Sequence, residues 1–286
     1  MAILQRIYNK ARAFLPLIKS LQTGLLLSTG VAGYLSAHTA PKLDVLLGLS
    51  ISLFLAISGS TILNMWYDCD IDVVMNRTHN RPLAAGRVTK REALWLGLAF
   101  SLAGVAWAVT LDGLYGLVVF AGLFFDVVIY TVWLKRRTSW SIVWGGISGG
   151  MPILAGRVLA IGHVDVIGLL LTMAVLFWIP THILTFSMRY FDDYRAARVP
   201  TFCSSYGFEA TRAIIAISAI IAAASIGVAG VMIGVQAGAL RLMAVLSSGL
   251  LLLSFASVFH PSEKVNFSLF KYASIYMLAS MILLSL

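Results

Sequence analysis

Asn64, Asp68 and Asp72 recur every four residues directly after a long apolar run, within Asn64-Met-Trp-Tyr-Asp68-Cys-Asp70-Ile-Asp72. At roughly 100° per residue the three fall within about 80° of one another on a helix, while Asp70 points about 200° away from Asp68. Carboxylates cost about 2.5 to 3.5 kcal/mol each at the centre of a bilayer, so a stripe of them at a span end is expected to face a cavity, an ion or a substrate. Hard oxygen ligands of this kind suit Mg²⁺, which bridges one or two carboxylates to phosphate oxygens. The stripe therefore points to Mg²⁺-assisted diphosphate chemistry at a membrane. A solvated helix end is the plainer alternative.

Two connections are longer and more polar than membrane turns require, residues 64–91 and 188–211, and such loops are commonly lids or binding loops. Each opens with acids and continues with arginines: Asp68, Asp70 and Asp72 before Arg77, Arg81 and Arg87, then Asp192 and Asp193 among Arg189, Arg195 and Arg198. Carboxylates holding Mg²⁺ beside guanidinium groups on the outer phosphate oxygens would stabilise a departing diphosphate. In the second loop Arg189 and Asp193 are also spaced as an ordinary helical ion pair, and both readings stay open. Lys135, Arg136 and Arg137 fall on the same side of the membrane, where snorkelling anchors are the alternative. Asp126 and Arg157 lie inside apolar runs and either pair with each other or face the cavity. The spacing of Gly145, Gly146, Gly149 and Gly150 predicts close helix contact.

The elements that must position these groups are membrane helices. The 286 residues are 59% hydrophobic and 12% charged, with a mean hydropathy of +0.90, which excludes an ordinary soluble core. Apolar runs at 17–37, 43–63, 93–111, 114–134, 141–161, 164–187, 212–233, 240–259 and 267–286 give about nine transmembrane helices in an all-α bundle around a central cavity. Both polar loops cap the cavity, and residues 1–286 form one domain. Lys and Arg crowd alternate connections, predicting a cell-membrane protein with a cytoplasmic N-terminus and the C-terminus outside. The segment before residue 17 is basic and lacks the apolar core of a secretory signal, so it reads as an interfacial helix. The net charge of +9 is dispersed among short membrane loops, which argues for a lipid bilayer partner and against nucleic acid. Cys69 and Cys203 indicate no disulfide framework.

The pattern Asn64-x3-Asp68-x3-Asp72, continued by Arg77-Thr-His-Asn-Arg81-Pro82-Leu-Ala-Ala-Gly86-Arg87, resembles the first aspartate-rich motif of the UbiA superfamily of intramembrane prenyltransferases. Within it the chain is most similar to the haem-prenylating branch, through Tyr130-Thr-Val-Trp133-Leu-Lys135-Arg136-Arg137-Thr138-Ser-Trp140, the Gly145 to Pro152 segment, and Pro180-Thr-His182 leading to Arg189, Asp193-Tyr194 and Arg198-Val199-Pro200. The similarity runs from about residue 16 onward, with the last three spans alike only in character. Two departures stand out. Val199-Pro200-Thr201-Phe202-Cys203 replaces the usual Ile-Pro-Met-Leu-Pro ending, and Lys19-Ser-Leu-Gln22 replaces a Lys-Pro-Arg-like entry.

The resemblance implies a Mg²⁺-dependent enzyme that joins farnesyl from farnesyl diphosphate to a vinyl group of haem. It implies Asn64, Asp68, Asp72 and Asp193 as metal and catalytic residues. Arg77, Arg81, Tyr130, Lys135, Arg136, His182, Arg189 and Tyr194 would contact substrate, with Tyr130 and Trp66 lining a water-excluding cavity. A quinone precursor or glyceryl phosphate lipid is the alternative acceptor, and a membrane transporter the alternative class. Acceptor identity, prenyl length, metal count, haem orientation and oligomeric state stay open at this point.

Overall fold

The computed structural model describes residues 12–37 and 40–285, all helix and connection. In chain order the helices are α1 (Ser20–Leu35), α2 (Leu43–Tyr67), α3 (Cys69–Val74), α4 (Lys90–Leu111), α5 (Gly113–Phe124), α6 (Ser141–Ile161), α7 (Val166–Arg189), α8 (Phe191–Ala196), α9 (Phe202–Ile233), α10 (Ala237–Phe259) and α11 (Glu263–Leu284). A π-helical stretch, Phe125–Leu134, continues α5. Among the described residues eight helical spans are long and apolar enough to cross a membrane, counting α5 with its continuation as Gly113–Leu134. The ninth expected run holds α1, 16 residues long and entered through the turn Leu15–Ile18. Each of the nine apolar runs therefore contains a helix, and eight of them are long and apolar enough to cross a membrane. The segment expected to form an interfacial helix lies largely outside the described residues.

Several helices begin earlier than hydropathy alone suggests, because their first turns are polar and capped. The Thr89 hydroxyl accepts from Glu92 N while Glu92 Oε2 accepts from Thr89 N, so α4 starts at Lys90 rather than at its first apolar residue. Thr201 and Ser204 form the corresponding box at α9, ten residues ahead of the apolar run. Gly207, at φ +82°, then bends α9 where its polar first turns meet its apolar body.

Neighbouring helices pack in a ring: α1 on α2 and α6, α2 on α4, α4 on α5, α5 on α6, α6 on α7, and α7 on α9 and α11. The ring closes where α11 also meets α1. Without a hydrophobic drive between helices in lipid, such contacts depend on small residues that let backbones approach. Gly146 and Gly150 do this against Leu176 and Thr172 of α7, as their spacing predicts. The tighter crossing is α1 on α6. A Cβ at Gly156 would strike the Gly30 carbonyl oxygen and lie 2.9 Å from Tyr34 N, and one at Gly33 would strike the Ile153 carbonyl.

Arg157 locks the far end of this crossing. Its Nε and Nη2 donate to Asp165 at 2.8 and 2.7 Å, and Nη1 donates to the Ser36 carbonyl at 2.9 Å. The guanidinium holds the Asp165 carboxyl below its ordinary range. Arg157 thus pairs with Asp165 and not with Asp126, correcting one sequence-based alternative. The near residue wins because Asp165 caps the next helix, only eight positions on.

Gly156→Val should destabilise the bundle by about 1–3 kcal/mol, the usual range for overpacking. Gly24→Val, where an added Cβ meets nothing within 4 Å, should leave the same detergent unfolding transition nearly unmoved. Similar transitions for both variants would remove α1 on α6 as the tight contact.

Candidate active site

The stripe on α2 is realised across a helix break. Asp68 leaves helical geometry (φ −87°, ψ 8°), yet Asp68 N still reaches the Asn64 carbonyl at 3.0 Å and Asp72 N the Asp68 carbonyl at 2.9 Å. The four-residue repeat therefore survives into α3. Asn64, Asp68 and Asp72 are 9%, 1% and 3% exposed, whereas the Asp70 side chain is 60% exposed.

Each inward member meets a partner from another element, as buried polar groups must. Asn64 Nδ2 donates to Thr131 Oγ1 at 2.8 Å, Lys135 Nζ donates to Asp68 Oδ2, and Arg81 Nη1 donates to both Asp72 oxygens at 2.8 Å. Outward-facing Asp70 takes Arg136 in a two-pronged pair at 2.7 Å, which holds the Asp70 carboxyl below its ordinary range. Arg136 also bonds the Tyr67 carbonyl and lies over the Tyr67 ring. Arg136 is thus anchored mainly on outward-facing Asp70, with Nη2 also 3.7 Å from Asp68 Oδ1.

The π-helical stretch supplies the opposite wall. Lys135 N bonds the Tyr130 carbonyl, five residues back, at 2.8 Å, and this wider turn brings Asp126, Tyr130 and Lys135 to the cavity. Thr131, the partner of Asn64, returns its own hydroxyl to the Asp126 carbonyl at 2.7 Å.

Both polar loops meet as one cap. Asp193 of α8 accepts from Arg77 N at 3.1 Å and Asn76 Nδ2 at 3.3 Å, and the Arg77 guanidinium lies over Phe186 and Tyr190 at 4.6 and 5.5 Å. Ile71 and Met75 pack beside Val199, Tyr194 and Ala197. Asp193 thus ties one loop to the other and does not gather with Asp68 and Asp72. Among the described residues no three His, Cys, Asp or Glu side chains cluster as a ligand set. Arg189 pairs with neither Asp193 nor the cavity, because α11 offers Phe267 at 4.0 Å and Glu263 at 3.9 Å.

Below the cap lies a cavity of about 590 Å³. Lys19, Asn64, Asp72, Arg77, Arg81, Tyr130, Lys135 and Tyr194 line its polar end, and Leu53, Val119, Met151, Val175 and Met277 line apolar wall. His182 faces the cavity, stacked between Trp178 at 5.1 Å and Phe270 at 4.5 Å, with Nδ1 3.3 Å from Ser274 Oγ. Trp66 is not in this lining; it packs with Leu17, Met65 and Leu83 on the opposite side of α2. Lys19, Ser60 and Thr131 are site residues that sequence reasoning missed. Lys19 was indistinguishable from a topology cation, and neither hydroxyl differs in sequence from the many that bond their own helix.

A helical ring around a capped, polar-mouthed cavity is the architecture of a membrane-embedded protein with a charged site at one end. Residues 25–278 match the UbiA prenyltransferase family, and the chain belongs to it. It is 42% identical over 201 residues to the protoheme IX farnesyltransferase of Archaeoglobus fulgidus, covering 70% of this chain and 71% of that protein. With its Korarchaeum cryptofilum counterpart it shares 40% over 209 residues, 73% and 71% of the two chains. Solved structures share the fold: a digeranylgeranylglyceryl phosphate synthase (TM-score 0.79, 16% identity, 96% of this chain and 97% of that one) and a UbiA homologue from Aeropyrum pernix (0.75, 22%, 93% and 98%). A UbiA homologue from Archaeoglobus fulgidus bound to GPP and Mg²⁺ also does (0.69, 15%, 96% and 100%).

Asp193→Ala should loosen the cap. A cysteine placed at position 80 should then react several-fold faster with a water-soluble maleimide, while Asp192→Ala, which removes only an exposed pair with Arg195, should not change the rate. Equal rates in both variants would contradict the tie between the loops.

Proposed function

We propose that this chain is a multi-pass membrane prenyltransferase that transfers farnesyl from farnesyl diphosphate to a vinyl group of protoheme IX, giving haem O and diphosphate. The observation that carries the chemistry is the pair of buried carboxylates, Asp68 and Asp72, held by Lys135 and Arg81, two cations that line the polar end of a cavity whose walls are otherwise largely apolar. Kinship at about 40% identity with protoheme IX farnesyltransferases supports the acceptor. The whole chain acts as one catalytic unit.

The residues fit Mg²⁺. Asp68 Oδ1 is buried without a hydrogen-bond partner in the structure, and Asp68 and Asp72 are hard oxygen donors. Mg²⁺ needs only one or two such carboxylates when phosphate oxygens and water complete its octahedron, so the missing three-acid cluster is no obstacle. Asp68 and Asp72 would hold it, with Asn64 beside them. When bound, it would neutralise diphosphate charge and favour departure of that group.

The chain's own groups do the rest. Arg81 and Lys135 are ready to turn from their carboxylates to diphosphate oxygens, while Lys19 and Arg77 add positive charge at the same mouth. Asp193 positions Arg77 by holding its backbone. Loss of diphosphate leaves an allylic cation, which the vinyl group attacks, and water then captures the porphyrin-side cation. The apolar wall delays that water, and the Tyr130 ring faces the cation from the polar end. His182, ringed by Trp178 and Phe270, is placed to meet a flat aromatic acceptor.

The cap faces the cytoplasm in this reading, because the basic connections gather at its end, and the C-terminus lies on the other side. In a Cys-free variant, single cysteines at 80 and 197 should be labelled from the cytoplasmic side and those at 112 and 163 from the opposite one. Labelling of 80 and 197 from different sides would break the cap.

The acceptor is tested by product analysis. Purified protein with Mg²⁺ and farnesyl diphosphate should convert haem to a farnesyl-hydroxyethyl product, and His182→Ala should impair haem use more than diphosphate binding. Mass spectrometry showing turnover of only an aromatic acid or a glyceryl phosphate lipid would sink the haem assignment.

A further inference from the structure

One carboxylate of the cavity has no part in the chemistry above. Asp126 lies at the start of the π-helical stretch and lines the cavity, and its Oδ2 accepts a hydrogen bond from the Ser60 hydroxyl. Among the described residues no basic nitrogen lies within ion-pair distance of it, whereas Asp70 and Asp72 each have one cationic partner and Asp68 has two, Lys135 and Arg136. Ser60 precedes Asn64 by four residues of α2, so the Asp126 and Ser60 pair lies about 6 Å further from the cap, one turn below the carboxylates. Such a site stands between the diphosphate end and the apolar wall, where the bonds change. The charged groups acting on it through space are Lys19 ahead of α1, Lys135 at the end of its own stretch and Asp68 on α2. Facing α6 brings only Ile142, Gly145, Ser148, Gly149, Met151 and Pro152 to the wall.

Prenyl transfer to any of these acceptors releases a proton. Of the two carboxylates that line the cavity, Asp72 is engaged by Arg81 and, among the described residues, Asp126 by no cation. Asp193 is held in the cap by Arg77 N and Asn76, and the His182 ring is stacked between Trp178 and Phe270. We propose that Asp126 is the proton acceptor of the reaction, a role that rests on the prenyl-transfer reading but not on the identity of the acceptor. The C–O bond of the donor breaks, and its electron pair leaves with diphosphate. The π electrons of the haem vinyl group form the new C–C bond. A lone pair of water closes on the porphyrin-side cation, and the proton that this oxygen sheds passes to Asp126, giving a hydroxyl on the product and a neutral carboxylic acid. Ser60 engages Oδ2, so Oδ1 receives the proton.

Asp126→Asn keeps a hydrogen-bond partner for Ser60 and should lower kcat about 10²–10⁴-fold, the usual worth of a positioned base. KM for farnesyl diphosphate should stay within about twofold, which also shows that the variant folds. The acid limb of the wild-type pH profile of kcat should disappear, and added formate should restore part of the rate. Retention of more than about a third of kcat with an unchanged pH profile, or a raised KM with unchanged kcat, would overturn the role. If the wild-type protein prenylates neither haem nor an aromatic acid nor a glyceryl phosphate lipid, the acceptor reading fails by itself. Hydrolysis of farnesyl diphosphate, in which water is the acceptor and sheds the same proton, then decides: slower hydrolysis in Asp126→Asn supports the role, and equal rates overturn it.

Discussion

Two carboxylates buried at the end of a membrane helix can exist only because a cation from another part of the chain meets each one. Asp68 takes Lys135 from beyond the π-helical stretch, and Asp72 takes Arg81 from the first cap loop. Removing one partner of a buried pair costs about 3–5 kcal/mol, since it leaves an uncompensated charge. The pairs therefore dictate more than local geometry. They bind the end of α2, the α5 continuation and the cap loop into one polar mouth.

The same pairs explain how the mouth can be stable and reactive together. A diphosphate brings oxygens that compete for Arg81 and Lys135, and any ion it carries competes for Asp68 and Asp72, so binding exchanges one set of charge contacts for another. The surrounding parts hold that exchange in place. Asp193 fixes Arg77 by its backbone, Arg77 rests on Phe186 and Tyr190, and the Arg136 and Asp70 pair braces the outside of α3. Glycine contacts between α1 and α6, sealed by Arg157 and Asp165, bring the wall together below.

Period and burial cost made the centre legible from residues alone. Asn64, Asp68 and Asp72 read as one face and Asp70 as the other, and the structure separates them by exposure in that way. The nine apolar runs each hold a helix, eight of them long enough to cross a membrane, because length and hydropathy are local properties. Partner choice is not local. Nothing in the sequence marks Phe125–Leu134 as π-helical, so the approach of Thr131 to Asn64 was hidden, and Lys19 looked like any basic loop residue. The resemblance implies substrate or metal roles for Asp193, Arg136 and Arg189, and the contacts they make in the structure, to Asn76 with Arg77, to Asp70, and to Phe267 with Glu263, are ones no sequence spacing shows. Trp66 fell on the far side of α2 for the same reason: the helix face was known only relative to its acids.

Inward-facing carboxylates, and not acidity of the segment as such, run the proposed chemistry. The direct measurement is Mg²⁺-dependent release of diphosphate from farnesyl diphosphate and acceptor by Asp68→Asn, Asp72→Asn and Asp70→Asn, with membrane insertion checked for each. A loss of about 10²-fold or more is expected for the first two, as for removal of a transition-state charge contact. Asp70→Asn should keep most of the activity. Equal loss in all three variants would contradict that division between the faces.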